Sequence, residues 1–259
     1  MQGAAPTAAP PVGVVAPPPS PPPRGPAPVI TGLQSPVPPQ VSAHVRLVVL
    51  RGSVAEGASY DVPQGVTSIG RAGDLAFPAD NLLAPKHILL RRAGAQVDLI
   101  EVSGPGGCFR RSRETTAIAS GDVVFAGEQY LLVRNGDDVP FEAPIGPDLP
   151  PETFGTPLPS PKLHVTQLLA AGTPGRVVST DRDVITVGRE GCDLSFPQDR
   201  FMSGRHLRIE VTATGGLQIV DSGSLNGTFV RAVKLPQRLQ KADELLVGAM
   251  LFRLDIKTE

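Results

Sequence analysis

Short alternating runs of apolar and polar residues predict that the chain is built from β-strands. In "HLRIEV", Leu207, Ile209 and Val211 are apolar and the residues between them are charged, as in a half-buried strand. Similar runs recur between Gly, Pro and Asp turn signals, including "HVRLVVL", "VTSIG", "AQVDLIEV", "DVITVG" and "DELLVG". No long stretch repeats its apolar residues with the period of a helix. Many short strands per domain predict an all-β fold, an antiparallel sandwich or barrel.

Two proline-rich stretches divide the chain. The 29 prolines among 259 residues concentrate in residues 1–43 and 136–161. Proline donates no backbone hydrogen bond, and such stretches carry too little apolar surface for a core. We therefore predict a disordered arm over 1–43 and a linker over 136–161. The first block, residues 44–135, and the second block, residues 162–259, remain as two folded domains.

The two blocks resemble each other. "TSIGRAGDLAFPADNLLAPKH" in the first block aligns with "ITVGREGCDLSFPQDRFMSGRH" in the second with one residue of slip. One further slip aligns "LIEVSGPGGCF" with "IVDSGSLNGTF". This repetition predicts an internal duplication, and hence two related β-sandwiches.

Composition excludes several function classes. The formal net charge is −1, so no basic field favours nucleic acid or an anionic membrane. Cys108 and Cys192 are far apart and have no metal-ligand spacing, which favours two reduced thiols in a cytoplasmic protein. No apolar run approaches the roughly 20 residues that span a bilayer, and no signal peptide is evident. The excess of arginine over lysine favours a GC-rich, bacterial source. We expect no metal, no cofactor and no small-molecule substrate.

One constellation of residues stands out in the second block. Gly188 and Arg189 form a Gly-Arg pair, Ser203 and His206 follow, and "DSGSLNGT" spans Asp221–Thr228. Each element alone is typical of ordinary loops. In this order and with these gaps they resemble the forkhead-associated (FHA) domain, an eleven-stranded β-sandwich that binds phosphothreonine peptides through loops at one end.

The resemblance covers residues 163–256 and implies a phosphopeptide site. Arginine offers a planar fork of donors for phosphate oxygens, a serine hydroxyl donates to the same group, and an asparagine amide suits an extended peptide backbone. The residues expected to contact the phosphopeptide are Arg189, Ser203, Gly204, Arg205, Leu225 and Asn226. Those expected to support the loops are Gly188, His206, Asp221, Gly227 and Thr228.

The second block departs from the family pattern at two positions that are expected to contact the phosphopeptide. Gly204 stands where the family often has a polar or basic residue, and Leu225 stands where it often has threonine or a basic residue. These departures predict either weaker binding or a preference for a peptide with an apolar residue near Leu225.

The first block resembles a degenerate FHA domain over residues 44–133. Its Gly-Arg pair ends at Arg71, and it keeps Lys86 and His87. Ala84 replaces the serine and Gly106 replaces the asparagine. Losing charge-assisted hydrogen bonds of about 1.5–3 kcal/mol each predicts little phosphopeptide affinity. Two interpretations stay open for this block, a general anion site at its basic residues and a structural or protein-binding module.

The resemblance implies a non-enzymatic adaptor in Ser/Thr kinase signalling. Its second block is expected to bind a protein phosphorylated on threonine, which would be the kinase itself or a substrate of the kinase. The alternative is a scaffold that binds its partner without reading phosphate. Thr153 and Thr156 in the linker raise a further hypothesis, in which a kinase modifies them and the tethered segment occupies the site at high effective concentration. An inert linker is the other interpretation.

Overall fold

The computed structural model describes residues 43–138 and 161–258, and the regular secondary structure of these residues is almost entirely β-strand. The strands are β1 (Ala43–Arg51), β2 (Ser59–Asp61), β3 (Gly65–Gly70), β4 (Leu75–Ala76), β5 (Ile88–Ala93), β6 (Gln96–Val102), β7 (Cys108–Arg111), β8 (Thr115–Ile118), β9 (Val123–Ala126), β10 (Gln129–Asn135), β11 (Leu163–Leu168), β12 (Pro174–Thr180), β13 (Val184–Gly188), β14 (Leu194–Ser195), β15 (Leu207–Val211), β16 (Leu217–Asp221), β17 (Thr228–Arg231), β18 (Gln237–Leu239), β19 (Glu244–Val247) and β20 (Met250–Thr258). Two single-turn 3₁₀ helices cover Gly136–Asp138 and Ala170–Gly172. The all-β prediction is confirmed.

Parts of the sequence prediction fall outside the described residues. Residues 1–42 of the predicted arm and 139–160 of the predicted linker, with Thr153 and Thr156, lie there. Within the described residues, no helix has the length and apolar character needed to cross a membrane.

The strands form one long sheet and two shorter ones. The long sheet has ten strands in the order β12-β11-β10-β9-β17-β7-β19-β20-β1-β2. One five-stranded sheet has the order β14-β13-β15-β16-β8, and the other has the order β18-β6-β5-β3-β4. Each short sheet covers one half of the long sheet, so the architecture is two β-sandwiches that share a continuous sheet.

Each sandwich contains strands from both sequence blocks. The first strand of the chain, β1, pairs with the last, β20, with Val45 opposite Ile256. In the same way β10 pairs with β11, with Asn135 opposite Leu163. We call β1–β7 with β18–β20 sandwich I, and β8–β17 sandwich II. The chain crosses between them twice, at residues 112–114 and 232–236.

The hydrophobic cores follow the sandwiches and not the sequence blocks. One buried cluster combines residues between 45 and 108 with residues between 232 and 254, including Leu47, Phe77 and Phe252. A second cluster runs from Val124 to Ile219 and fills sandwich II. The repeat boundaries at 44–135 and 162–259 remain a prediction about the sequence, since the strands of each block are divided between two cores.

An aromatic cluster lies where the two sandwiches join. Strand β7 pairs with β17 at the centre of the long sheet, with Phe109 opposite Arg231. The rings of Phe125 and Tyr130 are 4.9 Å apart, and that of Phe125 lies 6.3 Å from Phe229. These contacts bury apolar surface from both blocks, and therefore fix the join between the sandwiches.

Ala242 has a left-handed backbone that favours glycine, and this predicts a stabilising substitution. Its φ is 66°, whereas the repeat-equivalent turn of the first block has Gly121 at 91°. A left-handed conformation costs an L-residue about 1–2 kcal/mol, and the extra chain entropy of glycine offsets part of the gain. We expect Ala242→Gly to raise the free energy of unfolding by about 0.5–1 kcal/mol, as measured by urea denaturation. Gly121→Ala is the control, with the opposite sign. A less stable Ala242→Gly protein would contradict this interpretation.

Candidate functional site

Three loops meet at one end of sandwich II, at residues 189–193, 196–206 and 222–227, and we call this end the rim. The loop after β13 bonds to the loop before β15, because the Arg189 amide donates to the Ser203 carbonyl at 2.9 Å. The loop between β16 and β17 bonds to the same segment, since the Leu225 amide donates to Ser203 Oγ at 3.1 Å. Asn226 Nδ2 donates to the Phe201 carbonyl at 2.8 Å. The structure therefore brings together the loops that carry Arg189, Ser203 and Asn226.

Arg189 presents a free cation at this rim. Its side chain is exposed, and within residues 43–138 and 161–258 its guanidinium has no hydrogen-bond or ion-pair partner. Arg205 is likewise exposed and unpaired within those ranges. Gly188 is buried directly before Arg189, and a Cβ there would lie 2.1 Å from the Gly204 carbonyl oxygen. The close approach of these two backbones sets where the Arg189 side chain leaves the loop.

Ser203 and Asn226 are half-buried between the loops. Ser203 Oγ accepts the Leu225 amide, so its own hydrogen remains available to donate outward. Asn226 donates one amide hydrogen to the Phe201 carbonyl. Its side-chain oxygen accepts no hydrogen bond from the described residues. The Asn226 amide thus braces the loop that carries Ser203.

The predicted support residues form a hydrogen-bonded brace beneath the rim. His206 is fully buried; its Nδ1 accepts the Ser203 amide at 3.1 Å, and its Nε2 lies 3.1 Å from the Gly227 carbonyl. Asp221 accepts hydrogen bonds from the Thr228 hydroxyl at 2.6 Å and the Ser224 hydroxyl at 2.7 Å. Burial alone would raise the pKa of Asp221, but these hydrogen bonds lower it below its ordinary value.

The first block has the same histidine contacts but lacks the serine and asparagine side chains, since Ala84 and Gly106 stand at those positions. His87 is buried; its Nδ1 accepts the Ala84 amide at 3.1 Å, and its Nε2 lies 3.0 Å from the Gly107 carbonyl. The Arg71 amide donates to the Ala84 carbonyl at 2.9 Å. The histidine contacts and the Gly-Arg backbone bond therefore recur in both blocks. The first block differs in lacking the serine and asparagine side chains, and its loop after the Gly-Arg pair is one residue shorter.

Sequence reasoning missed two acidic residues that hold the rim. Asp193 fixes the loop after Arg189, because its carboxylate accepts the amide and the hydroxyl of Thr186 at 2.8 and 2.6 Å. Burial opposes ionisation of Asp193, but these bonds and Arg182 lower its pKa to about 2. Asp199 is 3% exposed and accepts the amides of the segment before Ser203. The repeated "FPAD" and "FPQD" were the available signal for Asp199.

The two rim positions that depart from the family pattern lie at the surface. Leu225 is 87% exposed, and Gly204 has open space around the position of a Cβ. Among the described residues, no group of three or more His, Cys, Asp or Glu side chains could hold a metal ion.

A known family model matches the part of the chain that carries the rim loops. The family model described as FHA domain matches residues 185–248. The comparisons support one FHA domain. We call residues 185–248 the FHA segment. It contains the three rim loops in sandwich II and continues through β18 and β19 into sandwich I. That the first block is a second, degenerate FHA domain stays a prediction.

Curated relatives match over a similar part of the chain. The human protein named E3 ubiquitin-protein ligase CHFR is 32% identical over 89 residues, which are 34% of this chain and 13% of that protein. The protein of the same name from Xenopus tropicalis is 37% identical over 54 residues, 20% of this chain and 9% of that protein. The chain thus covers about an eighth of these relatives or less.

These names correct one prediction. The chain was predicted to be non-enzymatic, and the relatives that it matches are named as ligases, which are enzymes. That prediction is therefore wrong as stated.

A solved structure is also similar. It comes from work titled "Structural and functional analysis of phosphothreonine-dependent FHA domain interactions". It has 25% sequence identity and covers 35% of this chain and 95% of that chain, with a TM-score of 0.22.

The buried histidine of the FHA segment predicts acid sensitivity. Burial lowers the pKa of His206, so below about pH 6.5 the unfolded chain binds a proton that the folded chain does not. The free energy of unfolding should therefore fall as the pH drops from about 7.5 to about 5, as measured by urea denaturation. His206→Asn should reduce the slope. A residual slope is expected from His164, whose pKa burial and Arg134 also lower. Unchanged stability between these pH values would contradict the prediction.

Proposed function

We propose that the chain binds protein segments phosphorylated on threonine, at the rim of sandwich II. The observation that carries this proposal is the exposed guanidinium of Arg189, which has no partner among the described residues, on a loop whose backbone bonds to that of Ser203 at 2.9 Å. A rim braced by hydrogen bonds, with an exposed cation and an available hydroxyl donor, suits a small, highly charged anion. The match of the FHA domain family to residues 185–248 supports the same conclusion.

The phosphate chemistry fits the donors available. A phosphothreonine carries about −1.5 to −2 charge at neutral pH and three strong acceptor oxygens. The Arg189 fork can meet two of those oxygens, and the Ser203 hydroxyl can donate to the third. Arg205 adds a second positive charge, and Arg200, which lies over the Phe201 ring at 5.1 Å, adds a third near the rim.

The peptide on either side of the phosphate would lie across the loop between β16 and β17. Asn226 keeps a side-chain acceptor for a peptide amide after donating to the Phe201 carbonyl. Leu225, at 87% exposure, offers apolar surface beside Ser203. We therefore expect a preference for an apolar residue in the peptide near Leu225.

The first block supplies little to phosphate recognition in this proposal. It would be a degenerate FHA-like copy in which Ala84 and Gly106 offer no side-chain donor. Arg71 and Lys86 are exposed there and leave a weak, unselective attraction for anions.

The partner in this proposal is a threonine-phosphorylated protein, either a Ser/Thr kinase or a substrate of one.

A peptide-library experiment tests the proposal. The full chain is screened against matched libraries that contain phosphothreonine, phosphoserine or unmodified threonine at a fixed position. We expect binding to the phosphothreonine library, with Ser203→Ala reducing affinity by about 10-fold through loss of one charge-assisted hydrogen bond. Ala84→Ser in the first block is the reciprocal control and should not change that affinity. Equal binding of modified and unmodified peptides would favour the phospho-independent scaffold instead.

A further inference from the structure

The rim of sandwich II rests on residues of the first block. Strand β8, residues 115–118, forms the edge of the sheet that carries the rim loops and pairs with β16. Next to this pair, the amide of Asp221 donates to the carbonyl of Glu114 at 3.0 Å. The strand that leads into the loop with Leu225 and Asn226 is therefore held on one side by the first block.

A second contact reaches the loop that carries Ser203. The turn between β9 and β10, in the first block, donates two hydrogen bonds to Asp199 Oδ2, from the Glu128 amide at 2.7 Å and from Gln129 Nε2 at 2.8 Å. The other oxygen of Asp199 accepts the amides of Phe201 at 3.0 Å and Met202 at 3.1 Å.

The contacts made through Asp199 lead to the rim. The Phe201 carbonyl accepts the side chain of Asn226, and Ser203 follows two residues later. Gln129 is itself oriented by Gln167, whose Nε2 donates to Gln129 Oε1 at 2.7 Å. Hydrogen bonds therefore connect a first-block turn to Phe201, which holds Asn226 through its carbonyl and precedes Ser203 by two residues.

We infer that the phosphopeptide site is shared between the two sequence blocks, with Gln129 as a positioning residue for the loop that carries Ser203. The inference rests on the proposed function for its ligand, but its structural core, the placement of that loop by a first-block side chain, does not. The first block then has a definite role even without phosphate affinity of its own, since it completes the sandwich that reads phosphate.

The equivalent contact in sandwich I provides a matched control. Asp80 is 4% exposed and accepts the amides of Leu82 at 2.9 Å and Ala249 at 2.8 Å. Ala249 lies in the turn between β19 and β20, in the second block. The same aspartate therefore contacts the opposite block in both sandwiches, but only Asp199 leads to a rim that has a serine and an asparagine.

Engineered cysteines test the shared architecture without any peptide. Arg46 lies opposite Asp255 across β1 and β20. If each block folded alone, Arg46 would instead face Arg134, the repeat equivalent of Asp255. In a Cys192→Ser background, Arg46→Cys with Asp255→Cys should form a disulfide within the monomer on oxidation, and Arg46→Cys with Arg134→Cys should not. The reverse result would overturn the inference.

Substitutions at Gln129 test its positioning role. We expect Gln129→Ala to speed amide hydrogen exchange at residues 201–203 and to weaken phosphothreonine-peptide affinity by about 3- to 10-fold. Gln129→Glu preserves size but places a carboxylate against Asp199, and should have the larger effect. A purely steric role would not give that order. Asp80→Asn should leave exchange at 201–203 and affinity unchanged.

The outcomes separate the two proposals. If wild-type protein binds no phosphopeptide, the proposed function fails, while the cross-links and the exchange rates still decide whether the first block positions the loop. If phosphopeptide binds but neither Gln129 substitution changes exchange at 201–203 or affinity, the positioning role is wrong and the proposed function stands.

Discussion

Replacing Arg189 with alanine is expected to weaken phosphothreonine-peptide binding by about 100-fold or more, because two charge-assisted hydrogen bonds of about 1.5–3 kcal/mol each are lost. The side chain is exposed and has no partner within the described ranges, so its removal should leave folding stability unchanged. Isothermal titration calorimetry with a phosphothreonine peptide, alongside thermal denaturation, measures both quantities.

Two further variants sharpen the Arg189 prediction. Arg189→Lys keeps the positive charge but loses the planar fork, so its affinity should lie between those of the wild type and Arg189→Ala. Arg71→Ala removes the repeat-equivalent arginine of the first block and should not change affinity. Binding by Arg189→Ala within about 3-fold of the wild type would show that the guanidinium does not hold the phosphate.

Replacing Gly188 with alanine is expected to damage both the fold and the site. The added Cβ would lie 2.1 Å from the Gly204 carbonyl oxygen and 2.8 Å from Cys192 Sγ, so the loops after β13 and before β15 must separate. We expect a loss of about 1–3 kcal/mol in the free energy of unfolding from this overpacking. Because the Arg189 loop moves with it, phosphopeptide affinity should fall by at least about 10-fold, the loss of one charge-assisted hydrogen bond.

Gly204 is the matched control for Gly188. It lies on the same rim, but a Cβ there meets no heavy atom within 4 Å and its backbone is not left-handed. Gly204→Ala should therefore preserve stability, measured by urea denaturation. A Gly188→Ala protein as stable and as tightly binding as Gly204→Ala would mean that the close approach of the two loops is not required.

The sequence predicted the fold class because its signals are local. Alternation of apolar and charged residues, as in Leu207–Val211, depends only on the two faces of a strand. The rim was predictable for a related reason. The Gly-Arg pair, Ser203, His206 and the loop with Asn226 each lie at the end of a strand, where an antiparallel sandwich brings loops together. The structure joins them by direct hydrogen bonds.

The exchange of strands between blocks could not be predicted from the sequence. Because the two blocks align in sequence, β1 has nearly the same edge to pair with in its own block and in the other, and both choices bury similar apolar faces. The choice depends on the connections at 112–114 and 232–236 and on the central β7–β17 pairing, which have no sequence signature. The role of Gln129 could not be predicted for the same reason. Its side chain has no recognisable role until the fold places it against Asp199.

Mapping a bound phosphothreonine peptide by NMR on the full chain tests whether the rim of sandwich II holds the phosphate. We expect a phosphothreonine peptide to shift the backbone amides of 203–205 and 225–227 at this rim. The aligned first-block positions that carry an amide hydrogen, namely Ala84, Lys86, Gly106 and Gly107, should not shift. An unphosphorylated peptide should shift neither set. Saturable shifts confined to the first-block loops, or shifts of equal size with and without the phosphate, would contradict this expectation.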